Sequence, residues 1–253
     1  MELYAKFLEL YDAYAAGVAY IAVRNPDGDE KIGTAFHVGD GVYITARHVV
    51  EHNEILEIAT TEKAFDTSGY RAEAGPRLLN ITHSPGKGKL VGGPYFHPEK
   101  TIDVAALKVE GISAPTIPLG DHLDDLLGTE LVLRPVLIMG YPPIPFADRP
   151  VLVATVAEVN AVVNKYTGGH PHFILSAMAR GGFSGGLAIT DYECALGVIT
   201  ESLNANGKPT ELGYLAVLSV QPIFVCLGHH RIMPEQMRKQ WLRAGDDKTI
   251  WEE

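Results

Sequence analysis

Three short segments carry residue types suited to proton transfer and nucleophilic attack. Thr45–Val50 reads TARHVV and follows the apolar run GVYI; Thr101–Leu107 reads TIDVAAL; Gly181–Gly186 reads GGFSGG. Histidine is the side chain best placed to move a proton near neutral pH. There are ten histidines, however, and one at a strand end is as a rule structural. An aspartate before an apolar run is more often a cap or a turn residue. A serine with glycines on both sides can sit on a tight turn with neighbouring N–H groups aimed one way, which makes an anion site. The same string also suits a glycine-rich hairpin turn. Taken together, the three are less ambiguous. The order His48, Asp103, Ser184 supplies a base, a carboxylate to orient it, and a hydroxyl nucleophile.

Longer strings around these residues resemble the trypsin-like serine peptidases, most closely the bacterial HtrA-like and glutamyl-type branch, over roughly residues 17–226. GTAFHVGDGVYITARHVVE is similar to a first-barrel strand pair ending in the catalytic histidine, and FHPEKTIDVAALKVE to the aspartate segment. LIMGYP (137–142) is similar to the opening strand of a second barrel, and SAMARGGFSGGLAI followed by CALGVITES to the nucleophile loop and the next strand. The resemblance implies two six-stranded antiparallel β-barrels of the chymotrypsin type, with the site between them. It casts Ser184 as nucleophile, His48 as base and Asp103 as the group that orients His48. The backbone N–H groups of Gly182 and Ser184 become the oxyanion hole. The implied activity is hydrolysis of polypeptides without metal or organic cofactor.

The sequence departs from that pattern in several places. Phe183 stands where digestive members carry an acidic residue that pairs with a freed N-terminus, so activation by that route is not expected. It also replaces the asparagine common in the HtrA branch. Arg47 replaces a small residue before the histidine. The resemblance does not extend to a PDZ module. Met178 falls at the base of the specificity pocket, with Thr200, Glu201 and Ser202 as one wall and Gly213 near the other. An apolar base predicts cleavage after small or medium apolar residues, because an unpaired charge buried there is costly. The pairs His170/His172 and His229/His230 raise the question of metal, but neither has a convincing set of further ligands, and solvated loops are expected.

The elements that must hold these residues are mostly short and apolar. From Val18 onward, runs such as VAYIAV, GTAFHVG, GVYITA, ILEIAT and VAALKV alternate with Gly, Pro, Asn and Asp, and similar runs fill the second half. That texture predicts an all-β barrel or sandwich. Leu3, Phe7, Leu10, Tyr11 and Tyr14 fall at helical spacing and predict a helix over 2–15 that packs on the body. A short helix is expected after Pro234. Ser84–Pro98, rich in Gly and Pro, is expected to be a surface loop. The resulting domain scheme is a helix in 1–16, one lobe in 17–120, a second in 121–228, and a tail in 229–253.

Net charge is −10, which argues against a non-specific nucleic-acid binder. No run is apolar enough to span a bilayer as a helix, and the opening segment lacks the pattern of a signal peptide. Only two cysteines occur, Cys194 and Cys226, and both are expected to be buried and reduced, which suits the cytoplasm. An added helix and tail would allow control by a regulatory protein partner. The rival reading is a catalytically silent protease fold used for binding, with Phe183 and Arg47 as its support.

Overall fold

A computed structural model describes residues 2–65, 81–120, 130–145, 147, 149–164, 170–177, 181–202, 204–205, 208–209 and 214–244. Strands β1 (Val18–Arg24), β2 (Glu30–Gly39), β3 (Val42–Thr45), β4 (Glu54–Phe65), β5 (Ile81–Phe96) and β6 (Ala105–Glu110) close an antiparallel barrel in the order β1-β2-β3-β6-β5-β4. A second closed barrel has the order β10-β11-β14-β9-β8-β7. Its strands are β7 (Pro135–Gly140), β8 (Val153–Asn164), β9 (Pro171–Leu175), β10 (Leu187–Thr190), β11 (Ala195–Ser202) and β14 (Leu215–Ser219). The segments β12 (Asn204–Ala205) and β13 (Lys208–Pro209) form a small ribbon. The expected all-β fold of two six-stranded barrels is therefore present.

The first-barrel strands look apolar throughout because both of their faces are covered. Side chains alternate across a strand, and here the alternation sorts them into two cores. Ala19, Ile21, Val23, Tyr43, Leu107 and Val109 meet in a cluster formed by first-barrel residues. Val18, Tyr20, Phe36, Ile44 and Ala106 point the other way, into a larger core shared with Leu137, Met139, Phe173 and Val198 of the second barrel.

Helix α1 (Glu2–Tyr14) buries Phe7 and Leu10 in that larger core, as the helical stripe predicts, and a 3-10 turn at Ala15–Gly17 leads into β1. Helix α2 (Arg47–Val50) is a single turn after β3. Helix α3 (Gln221–His229) follows β14, with Pro222 in its first turn, where a missing N–H costs nothing. Helix α4 (Glu235–Ala244) matches the expectation for the tail, and the carboxylate of Asp40 accepts the N–H of Glu235 at its start.

Two local expectations are corrected. Residues 84–98 are mostly strand: β5 runs to Phe96 and pairs with both β4 and β6. Its glycines mark close approach rather than a loop. A Cβ on Gly88 would collide with Val109 and Ile112. His172 lies on β9 and is buried, not in a solvated loop.

The barrels are tied by Tyr141, just past β7. Its hydroxyl contacts Thr61 Oγ1 at 2.9 Å, accepts the Thr61 N–H at 3.2 Å, and donates to the Val18 carbonyl at 3.2 Å. The Tyr20 and Tyr141 rings meet edge to face. Burial raises the Tyr141 phenol above its ordinary range, so it remains a donor. Tyr141→Phe removes the hydroxyl and strands buried partners on β1 and β4. Chemical denaturation should show a loss of about 1–3 kcal/mol; an unchanged midpoint would mean that the tie contributes nothing.

Candidate active site

His48 sits on α2, Asp103 on the connection from β5 to β6, and Ser184 on the connection from β9 to β10. Asp103 grips His48 at two points. Its Oδ1 accepts the His48 backbone N–H at 2.9 Å, and its Oδ2 lies 2.8 Å from Nδ1. An ionised carboxylate only accepts, so Nδ1 carries the proton and Nε2 is left as the basic nitrogen. His48 and Ser184 line one cavity of about 240 Å³ with Gly33, Val49, Asn53, Gly181 and Gly182. The Ser184 hydroxyl itself donates to the Thr200 carbonyl at 3.3 Å.

The loop that carries Ser184 is held by the first barrel through Thr34 on β2. The Thr34 N–H donates to the Ser184 carbonyl at 2.9 Å, and its Oγ1 donates to the Gly182 carbonyl at 2.6 Å while accepting the Tyr141 N–H at 2.9 Å. With its carbonyl fixed, Gly182 takes φ +89, and its N–H and that of Ser184 donate to no acceptor among the described residues. Gly185, at φ +82, lies so close to β2 and β3 that a Cβ would overlap Thr34 O and Thr45 Oγ1. The loop is closed on itself by Gly186 N–H to Phe183 O and tied to β11 by Gly185 N–H to Ile199 O.

Residues 33–198 match the family model described as the trypsin-like peptidase domain. The chain belongs to the trypsin-like peptidases. Solved structures share its fold at low identity. HtrA-type protease AlgW with a tripeptide gives a TM-score of 0.58 at 17% identity, covering 91% of this chain and 64% of that one. The Rv3671c protease from M. tuberculosis in its active form gives 0.57 at 19%, covering 86% and 82%. The serine endoprotease from Yersinia pestis gives 0.56 at 16%, covering 89% and 66%. The chain thus spans just under two thirds of the AlgW and Yersinia proteins. No curated protein matches it in sequence.

Within this trypsin-like domain, the departures read from the sequence take definite places. Phe183 is buried in the shared core, its ring against Gly140 on β7. Arg47 is also buried and reaches under α2, away from the His48–Ser184 cavity, to the carbonyls of His97 and Glu99. Thr200 is buried near the end of β11, with its Oγ1 unpartnered among the described residues. Glu201 and Ser202 complete β11; their side chains, and all of Met178 and Gly213, lie outside the described residues. His230 Nε2 lies 2.7 Å from the Phe96 carbonyl. Among the described residues no three metal-ligating side chains come together. Cys226 is buried and Cys194 only half-buried, which corrects the expectation of two buried thiols; the two are not joined by a disulfide.

Sequence reasoning picked out the three catalytic-type residues but missed Thr34 and Tyr141. Both lay inside quoted strings, GTAFHVG and LIMGYP, where their polar groups gave no sign of what they would meet across the interface. Thr34→Val keeps the shape and deletes the hydroxyl, leaving the Gly182 carbonyl and the Tyr141 N–H without that partner. Urea unfolding should report a loss of about 1–3 kcal/mol, with Thr34→Ser losing clearly less; equal losses would assign the effect to packing.

Proposed function

We propose that this chain is a serine endopeptidase in which His48, Asp103 and Ser184 act as a catalytic triad and form an acyl-enzyme. The observation that carries the reading is the two-point grip of Asp103 on His48 in the same cleft as Ser184. Ser184 Oγ turns from the Thr200 carbonyl toward Nε2 and attacks the scissile carbonyl carbon as Nε2 takes its proton. Negative charge moves to the carbonyl oxygen, where the Gly182 and Ser184 N–H groups receive it. The tetrahedral adduct collapses, and the leaving amine takes the proton from His48. Water, deprotonated by the same nitrogen, then attacks the ester and frees Ser184. Asp103 keeps its proton-free state throughout and stabilises the imidazolium.

Cleavage after small or medium apolar residues is part of the reading, on the strength of Met178 and the segments Thr200–Ser202 and Gly213. So is control by a protein partner. Its support is the Ser184 hydroxyl, which is turned to Thr200 in the free chain. No described helix is long and apolar enough to cross a membrane. Two cysteines that form no disulfide support a reducing compartment such as the cytoplasm.

The test is labelling with a fluorophosphonate and mapping of the modified serine. Ser184 should be the residue labelled, and Ser184→Ala should lower peptide hydrolysis by a factor on the order of 10⁶, with Asp103→Asn costing about 10⁴. Wild-type turnover in the alanine variant would remove the assignment. A folded chain that neither labels nor cleaves would favour the silent binding module. Rapid labelling of the isolated chain would take the partner out of the reading. A peptide-library profile dominated by Lys or Arg would overturn the apolar preference.

A further inference from the structure

We propose that Arg47 is a positioning residue for the reaction: its buried guanidinium fastens the connection that carries Asp103 beneath the helix that carries His48. The inference deepens the triad reading and rests on it.

Residues 97–104 form a compact bend between β5 and β6. The bend is pinned at its base by His97 N–H to Val104 O at 3.1 Å and inside by Ile102 N–H to Glu99 O at 3.2 Å. These bonds shape the bend but do not say where it sits relative to α2. Arg47 supplies that information. Its Nη1 donates to the His97 carbonyl at 3.2 Å and to the Glu99 carbonyl at 3.3 Å, its Nε donates to Glu51 Oε1 at 3.0 Å, and its guanidinium carbon lies 4.8 Å over the Phe96 ring. Among the described residues the His97 carbonyl has no other donor. Arg47 is 8% exposed, so these contacts are made away from water, where a lost donor is expensive.

The bend is reinforced from beneath. His97 Nδ1 accepts the Glu99 N–H at 3.1 Å. That bond requires a neutral ring, and burial, the main influence, together with nearby Arg47 and His170 keeps the imidazole below its usual range. The guanidinium therefore meets two carbonyl oxygens and a neutral ring instead of a competing cation.

The sequence places this anchor one residue before His48. Arg47 and His48 share one helical turn, so any displacement of the 97–104 bend from Arg47 is a displacement of Asp103 from His48. Asp103 contacts α2 through the His48 backbone and ring. His48 is exposed enough, at 41% of its side chain, that neighbouring packing does not hold the ring by itself. Lysine is a poor substitute, since one ammonium cannot span Glu51, two carbonyls and an aromatic face together.

The experiment uses the full chain with Arg47→Met and Arg47→Lys, and Asp103→Asn as reference. The first readout is the low-field proton resonance of His48 Nδ1–H bonded to Asp103, assigned by its absence in Asp103→Asn. The second is kcat and KM on a peptide substrate, corrected for the folded fraction measured by urea unfolding. Arg47→Met should lose or shift the resonance while folded, and kcat should fall about 10- to 100-fold with KM changed by much less, since a misplacement of about 1 Å can cost 10²-fold. Arg47→Lys should lie between. Added methylguanidinium should restore part of kcat in Arg47→Ala. A folded Arg47→Met with an intact resonance and wild-type kcat overturns the proposal. So does a loss of activity that tracks only the unfolded fraction. If Arg47→Met does not fold, the resonance in Arg47→Lys decides in the same way. If the wild-type chain cleaves nothing, Ser184 labelling judges the peptidase reading and the resonance alone still judges Arg47.

Discussion

The contact between Thr34 and the Ser184 loop is the constraint on which the rest of the site depends. One residue of the first barrel bonds two carbonyls of a loop that belongs to the second, and it accepts the N–H of Tyr141, just past the strand that opens that second barrel. Everything near Ser184 has to conform. Gly182 adopts a left-handed backbone, with its carbonyl held by Thr34. Gly185 must lack a side chain because β2 and β3 pass directly behind it. Gly182 and Gly185, one on each side of Ser184, are thus demanded by close backbone neighbours where the two barrels meet.

The same interface explains why an aromatic residue can precede Ser184. A charged residue at position 183 would need a partner brought to it. The phenyl ring of Phe183 needs only a cavity, and Gly140 on β7 provides it by having no side chain of its own. The loop is then fixed by packing and backbone hydrogen bonds laid down as the chain folds. Arg47, adjacent to His48, likewise bonds carbonyls of the bend that carries Asp103.

Much of this was legible in the sequence, and the reasons are local. His48, Asp103 and Ser184 each sit in a string whose neighbours have a recognisable texture, and most strands are short apolar runs bounded by turn residues. What escaped was whatever depended on the other barrel or on an opposite strand. Ser84–Pro98 looks like a loop because its glycines and prolines are read one at a time. In the fold, Gly88 answers to Val109 and Ile112, which lie far along the chain. Arg47 looks like a charge beside an active site, and only the course of 97–104 shows that it points the other way. Helix α3 was hidden inside the apolar run that follows β14, because a buried helix and a buried strand of that length carry the same composition.

The ends of the chain are laced crosswise. Helix α1 precedes the first barrel but lies against Leu137, Ala154 and Val156 of the second, with Lys6 paired to Glu193. Helix α3 follows the second barrel but reaches back to the first, where Cys226 Sγ faces the Tyr95 carbonyl and His230 the Phe96 carbonyl, and the turn at Asp40 holds the start of α4. Each terminal segment is a strap buckled to the lobe it does not belong to. Swinging the lobes apart would have to peel both straps at once, and a buried Phe or Leu side chain alone is worth about 1.5–3 kcal/mol on each.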